Sequence, residues 1–175
     1  MHKSQGRPGV RTGLSEAKYS GKYFEDFKEG QVFKHSLGRT VTDVDNIWFT
    51  LLTNNSNPVH FNKDYAEKNF PGAPFNGRML VNAALTFAIV AGLSVEETSK
   101  HGVMVGLNNM KLSNPVFGGD TLYAESTVMS ARESKSREGM GLVTIRTRGY
   151  KPDGTTVIEF ERTFLTRMRG AVWKG

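Results

Sequence analysis

The 175-residue sequence contains no cysteine. Disulfides, thiolate metal sites and a cysteine nucleophile are therefore excluded, and a cytoplasmic, reducing setting is the expectation. Long apolar runs are missing too. The longest, residues 79–93, is broken by Asn82 and Thr86, and a membrane helix needs about 20 apolar residues. No membrane span is expected. The opening MHKSQGRPGV has no apolar centre, so no secretory signal is expected either. There is no GxGxxG, no phosphate-loop pattern and no HExxH, which removes the usual signatures of dinucleotide, nucleoside triphosphate and zinc-hydrolase chemistry. The reading is of a protein with no metal and no cofactor. Acidic residues are scarce in the first 22 positions, where Glu16 alone faces Lys3, Arg7, Arg11, Lys18 and Lys22.

What remains describes one globular domain. Its length suits a single core, and 38% hydrophobic with 23% charged residues argues against wholesale disorder. Residues 1–22 read as a flexible basic arm, and residues 23–175 as the folded unit. The net charge of +6 is concentrated in that arm and in the C-terminal third. Either place could meet an anion or simply be solvated surface.

Residues 31–41 read as a strand weakened at Gly38. Thr42 is a good helix N-cap, and Asp43 and Asp45 suit the positive end of a helix dipole. Ile47, Trp48, Leu51 and Leu52 recur at helical spacing, which predicts an amphipathic helix over 43–53. A polar stretch with Pro58 follows, then a short helix over 63–69 capped by Asn62, then a Pro/Gly loop over 70–78. Residues 79–93 are apolar almost all round, which predicts a helix buried on every side. Ser94 is expected to cap a further short helix to Ser99. Strands follow over 102–112, 120–137, 141–151 and 156–168, with a hairpin turn at Pro152-Asp153-Gly154-Thr155. Helices grouped before a strand meander indicate α+β, with an antiparallel sheet curled round the central helix.

Four histidines are present. His2 lies in the arm. His35 reads as a surface strand residue, and His101 as a cap for carbonyls at a helix end. His60 stands apart: it ends Asn55-Ser56-Asn57-Pro58-Val59-His60, about 20 residues before the apolar helix.

That segment, with Ala66 six residues on, resembles the hydratase-2 motif of the MaoC-like family, the (R)-specific enoyl-CoA hydratases. Residues 77–85 (GRMLVNAAL) and 114–122 (NPVFGGDTL) are similar to that family's central helix start and long-strand entry. Residues 38–42 and 132–137 resemble the mesaconyl-CoA hydratase branch. The resemblance spans about residues 23–168 and implies a hotdog fold, an antiparallel sheet wrapped round a long helix. It implies a hydro-lyase that hydrates 2-enoyl thioesters and dehydrates 3-hydroxyacyl thioesters, with coenzyme A or an acyl-carrier protein as carrier. It also implies a homodimer or a higher even assembly. The sequence departs from the pattern in two places. The family's catalytic aspartate falls on Asn55, and its usual His-Gly at the helix start falls on Asn82 and Ala83.

Through the resemblance, His60 is the acid/base, the group type whose ordinary ionisation lies near neutrality. Asn55 holds the water or the β-hydroxyl. The Ala83 backbone N–H is the oxyanion donor, at a helix end that favours negative charge. Asn57, Asn82 and Arg78 are candidate substrate-binding residues, with Asn57 alternatively fixing the loop and Asn82 alternatively capping the helix. Arg132, Lys135 and Arg137 are candidate partners for coenzyme A phosphates, or solvated charge. Two other readings stand beside this one. A hotdog thioesterase needs an acidic residue near the central helix, and residues 79–93 contain none. A non-catalytic module binding acyl thioesters or nucleic acid would suit the basic arm, but aromatics interleaved with cations are few there, so no nucleic-acid partner is expected.

Overall fold

The computed structural model describes residues 21–172. Most of the flexible arm expected over 1–22 lies outside the described residues, as does His2. The element order is β1 (Val32–Lys34), β2 (Arg39–Thr40), α1 (Asp43–Leu52), α2 (Lys63–Asn69), α3 (Ala83–Leu93), α4 (Val95–Thr98), β3 (Gly102–Leu112), β4 (Thr121–Glu133), β5 (Met140–Tyr150) and β6 (Thr156–Arg167). All pairings are antiparallel, in the order β1-β4-β5-β6-β3, with β2 also on β4. The sheet packs its apolar face on α3. That is the α+β hotdog arrangement implied by the sequence.

The reason lies in the side-chain alternation of the last strands. Leu122, Ala124 and Val128 of β4, Val143 and Ile145 of β5, and Ile158, Phe160 and Phe164 of β6 are buried on the helix side. Leu85 and Val90 of α3 join Leu122, Ala124, Ile158 and Phe160 in one core cluster. Phe27, Phe33, Val128, Val143, Ile145 and Phe164 form a second. Helix and sheet approach closely at Gly149, where a Cβ would lie 2.5 Å from Val90. The β5–β6 turn closes as expected, with Gly154 at φ 86° and Thr155 N–H donating to Asp153 Oδ1. No helix among the described residues is long and apolar enough to cross a membrane.

Several expectations need correction. First, residues 31–41 form two short strands, and His35 between them is buried rather than at the surface. Its ring bonds Glu97 through Nδ1 at 2.7 Å and Ser126 through Nε2 at 2.9 Å. Second, His101 caps no helix: its ring stacks on Tyr23 at 4.3 Å, and Nδ1 accepts from Arg167. Third, α3 begins at Ala83 rather than Met79, because Leu80 bridges Phe117 and Asn82 caps the helix. It is not buried all round either, since Ala83, Ala84, Ala88 and Gly92 are exposed. Ser94 precedes α4 as expected, but its hydroxyl donates to Ala91 O instead of capping.

The helix α1 forms where expected, and the structure adds which side of it is buried. Its apolar stripe faces outward, with Trp48 73% and Leu52 80% exposed, while Asn46 and Thr50 are fully buried. Polar groups win the inner face because each finds a hydrogen-bond partner there (Asn46 through backbone groups, Thr50 through Asn82), which removes the usual penalty for burying an amide or hydroxyl.

The cap of α1 is the one expected. Thr42 Oγ1 accepts from Asp45 N–H, and Asp45 Oδ2 accepts from Thr42 N–H at 2.8 Å, a reciprocal box. The Thr42 N–H, then the Thr42 hydroxyl and Arg39, hold the Asp45 carboxyl below its ordinary value. A depressed folded-state value means this contribution is present above the ordinary Asp range and is lost as pH falls through the folded value. Thr42→Ala is expected to lower unfolding free energy by about 1 kcal/mol at neutral pH. Denaturant melts should show that difference shrinking in acid; a difference independent of pH would contradict the box.

Candidate active site

The loop after α1 is shaped by its asparagines. Asn54 adopts φ 55°, a left-handed conformation that asparagine tolerates, and Asn55 N–H returns to Thr50 O. Asn55 Oδ1 then accepts from Asn57 N–H at 3.0 Å, and Asn57 Oδ1 from Val59 N–H at 3.2 Å. Pro58 starts a single 3-10 turn, Pro58–His60. The chain is thereby wound tightly enough to bury His60 beside the start of α3.

A cavity of about 370 Å³ opens there. Asn55, His60, Asn82, Ala83 and Thr86 line one part, and Leu112, Ser113, Asn114, Pro115 and Val116 another, with Pro74 and Phe75 at its side. Its described lining holds no carboxylate and no Lys or Arg. Among the described residues no group of three or more His, Asp or Glu side chains is disposed to hold a metal ion.

The His60 ring is defined by one contact: Nδ1 lies 2.8 Å from Leu80 O. A carbonyl oxygen only accepts, so Nδ1 carries the proton and, in the neutral ring, Nε2 holds the lone pair. Ala83 is the first residue of α3. Its N–H has no carbonyl one turn back to bond, whereas the next N–H, of Ala84, is taken by Asn82 Oδ1 at 2.9 Å.

The structure thus brings together His60, Asn55, Asn82 and the Ala83 N–H around one cavity. Asn82 is at once a lining residue and the helix cap. Asn57 lies outside the lining and secures the turn. Arg78 also lies outside it, its guanidinium 3.9 Å above the Phe117 ring, in a separate depression with Asp43, Lys63 and Glu67. Arg132, Lys135 and Arg137 are not brought to the cavity within one protomer. β4 starts beside Phe117, the bridge partner of Leu80, and runs roughly 35 Å before reaching Arg132.

Sequence reasoning missed Asn46 and Thr50. Asn46 Nδ2 donates to His60 O at 2.7 Å and Leu80 O at 2.9 Å, and its Oδ1 accepts from Asn82 N–H at 2.8 Å. Thr50 Oγ1 accepts from Asn82 Nδ2 at 3.3 Å. The available signal was an asparagine and a threonine four apart inside a helix, two residue types poorly suited to a helix interior. The wall supplied by residues 112–116 was equally invisible, because it arrives from the far end of β3.

Comparison with known proteins agrees with this geometry. Residues 11–174 match the family model described as mesaconyl-CoA hydratase. A mesaconyl-CoA hydratase of Cereibacter sphaeroides is 31% identical over 152 residues, covering 86% of this chain and 42% of that protein. An (R)-specific enoyl-CoA hydratase of Rhodospirillum rubrum is 32% identical over 148 residues, covering 85% of this chain and 94% of that protein. The crystal structure of a putative MaoC domain dehydratase from Chloroflexus aurantiacus superposes with a TM-score of 0.78 at 26% identity, covering 91% of this chain and 45% of that one. This chain therefore spans less than half the length of the first of these relatives.

Proposed function

The chain belongs to the mesaconyl-CoA hydratase family, and from that membership we propose that it is a hydro-lyase adding water reversibly to a 2-enoyl thioester of coenzyme A. The observation that carries the reading is the contact of His60 Nδ1 with Leu80 O. With Nδ1–H held by Leu80 O, the Nε2 lone pair is the base available to the cavity. Asn55 Oδ1 is engaged by Asn57 N–H, so its NH2 group is the part free to orient a water oxygen.

In hydration the water oxygen bonds to C3 while its proton passes to His60 Nε2. The C2–C3 π electrons move onto the thioester oxygen, which the Ala83 N–H and the α3 dipole stabilise. His60 then delivers its proton to C2, and the thioester carbonyl re-forms. Dehydration runs the same steps backwards. A single imidazole serves both proton transfers, and the amide at Asn55 takes none. The lack of a carboxylate in the described lining supports hydration over thioester cleavage.

The same reading includes a second copy of the chain. β3 is a sheet edge carrying exposed Val103, Met104, Val105, Leu107, Met110 and Leu112. Such an edge invites pairing. Leu112 also lines the cavity, so pairing along β3 would wall it further. Arg132, Lys135 and Arg137, which lie away from the cavity within one protomer, would have to reach coenzyme A phosphates from the opposite subunit. A cytoplasmic location fits the cysteine-free composition.

The direct test is a panel of short, branched and dicarboxylic 2-enoyl-CoA esters followed by enoyl absorbance and by free-thiol detection. Loss of absorbance without thiol is expected; thiol release would make the chain a thioesterase. Asn55→Asp replaces the NH2 donor by a carboxylate oxygen that can hold the water through its O–H instead, so turnover is expected to persist with a changed preference across the panel. Complete loss of turnover with substrate binding retained would mean the amide itself is required.

A further inference from the structure

We propose that Asn46 is a positioning residue that fixes the tautomer of His60 and sets the ring against the first turn of α3. The kinetic part of this proposal rests on the hydratase reading, whereas the tautomer part stands on geometry alone.

Asn46 sits in the interior of α1, with no exposed surface. Its amide orientation is set by its neighbours. Two carbonyl oxygens, of His60 and Leu80, face Nδ2 at 2.7 and 2.9 Å, and one N–H, of Asn82, faces Oδ1 at 2.8 Å. Turning the amide over would aim its oxygen at two other oxygens. Both donors are used, and the acceptor is used.

The three backbone groups so joined are those the site depends on. One is the carbonyl of His60 itself. One is the N–H of Asn82, the cap residue directly before the Ala83 N–H. The third, Leu80 O, also accepts from the His60 ring at 2.8 Å. A carbonyl oxygen offers two lone pairs. With one held by Asn46 Nδ2, the carbonyl cannot swing away, and the other remains directed at His60 Nδ1. The imidazole is thereby kept with its proton on Nδ1 and its lone pair on Nε2. In hydrolases a carboxylate often performs this orienting task; here a backbone carbonyl performs it, and Asn46 holds the carbonyl. This also accounts for the inverted face of α1, whose buried side is polar although its other side is apolar.

The experiment uses the full chain and two variants. Asn46→Leu keeps the branched shape of the side chain and removes all three bonds. Asn46→Asp keeps an acceptor for Asn82 N–H and withdraws at least one donor. Imidazole nitrogen NMR reads the tautomer of neutral His60, and steady-state kinetics on an active 2-enoyl-CoA read kcat and KM separately. The parent is expected to show the Nδ1–H form. Both variants should populate the Nε2–H form, with kcat lowered about a hundredfold, as for a small misplacement of a reacting group, and KM little changed. Variants that keep the Nδ1–H form and parental kcat overturn the proposal.

Should neither variant fold, the parent alone decides. Slow solvent exchange of both Asn46 amide protons together with a His60 Nδ1–H supports the proposal; rapid exchange, or a ring protonated on Nε2, overturns it. A parent with the Nδ1–H form and no turnover on any enoyl thioester removes the hydratase reading while leaving the structural role of Asn46 in place.

Discussion

His60→Ala is expected to reduce turnover of a 2-enoyl-CoA by about a thousandfold, the scale of removing a positioned general base. The fold should survive the change. Leu80 O keeps its bond from Asn46 Nδ2, so truncating the ring strands no buried carbonyl. The His60 backbone also keeps its place, because its carbonyl is held by the same amide. Stopped assays on the variant, beside its circular dichroism and thermal melt, separate loss of chemistry from loss of structure. A folded variant with parental turnover would take the base role away from the imidazole.

The second large effect is expected of Ala83→Pro. Proline lacks the N–H proposed to meet the thioester oxygen, yet it is well suited to the first position of a helix, where no intrahelical bond is lost. The residue before it must be extended, and Asn82 already is, at φ −56° and ψ 131°. The substitution therefore removes one donor and leaves the helix intact. Losing one preorganised oxyanion donor typically costs 10²–10³ in kcat, so a fall of about that size is expected. Ala83→Gly, which keeps the N–H, should retain most of the activity. Equal activity in the proline variant would place the oxyanion elsewhere. Equal loss in the glycine variant would point to the side chain instead.

The elements that were legible in the sequence are those whose stability is local. α2 occupies 63–69 with Asn62 as its cap, as read, because the cap and the helix lie within one short stretch. The strand meander was legible because alternation of apolar and polar residues survives whatever it packs against. The loop carrying His60 was readable from its asparagines and Pro58. What escaped was set by distant partners. His35 is buried because Glu97 and Ser126, 62 and 91 residues later, satisfy both ring nitrogens. The inward face of α1 was not legible, because hydrophobic spacing marks an amphipathic helix without saying which side turns inward. Here Asn46 and Thr50 win that side through bonds to residues between His60 and Asn82, which no pattern within α1 announces. Of the residues expected to bind substrate, Asn82 reaches the cavity, while Arg78 is drawn to the Phe117 face instead.

The most direct measurement is to incubate the purified chain with a short 2-enoyl-CoA in isotopically labelled water and to locate the label by mass spectrometry. A 3-hydroxyacyl-CoA bearing one labelled oxygen on its acyl carbon chain is expected, with the thioester intact and the signal lost in His60→Ala. Label in a liberated carboxylic acid, or an unlabelled and unchanged substrate across the panel, would contradict it.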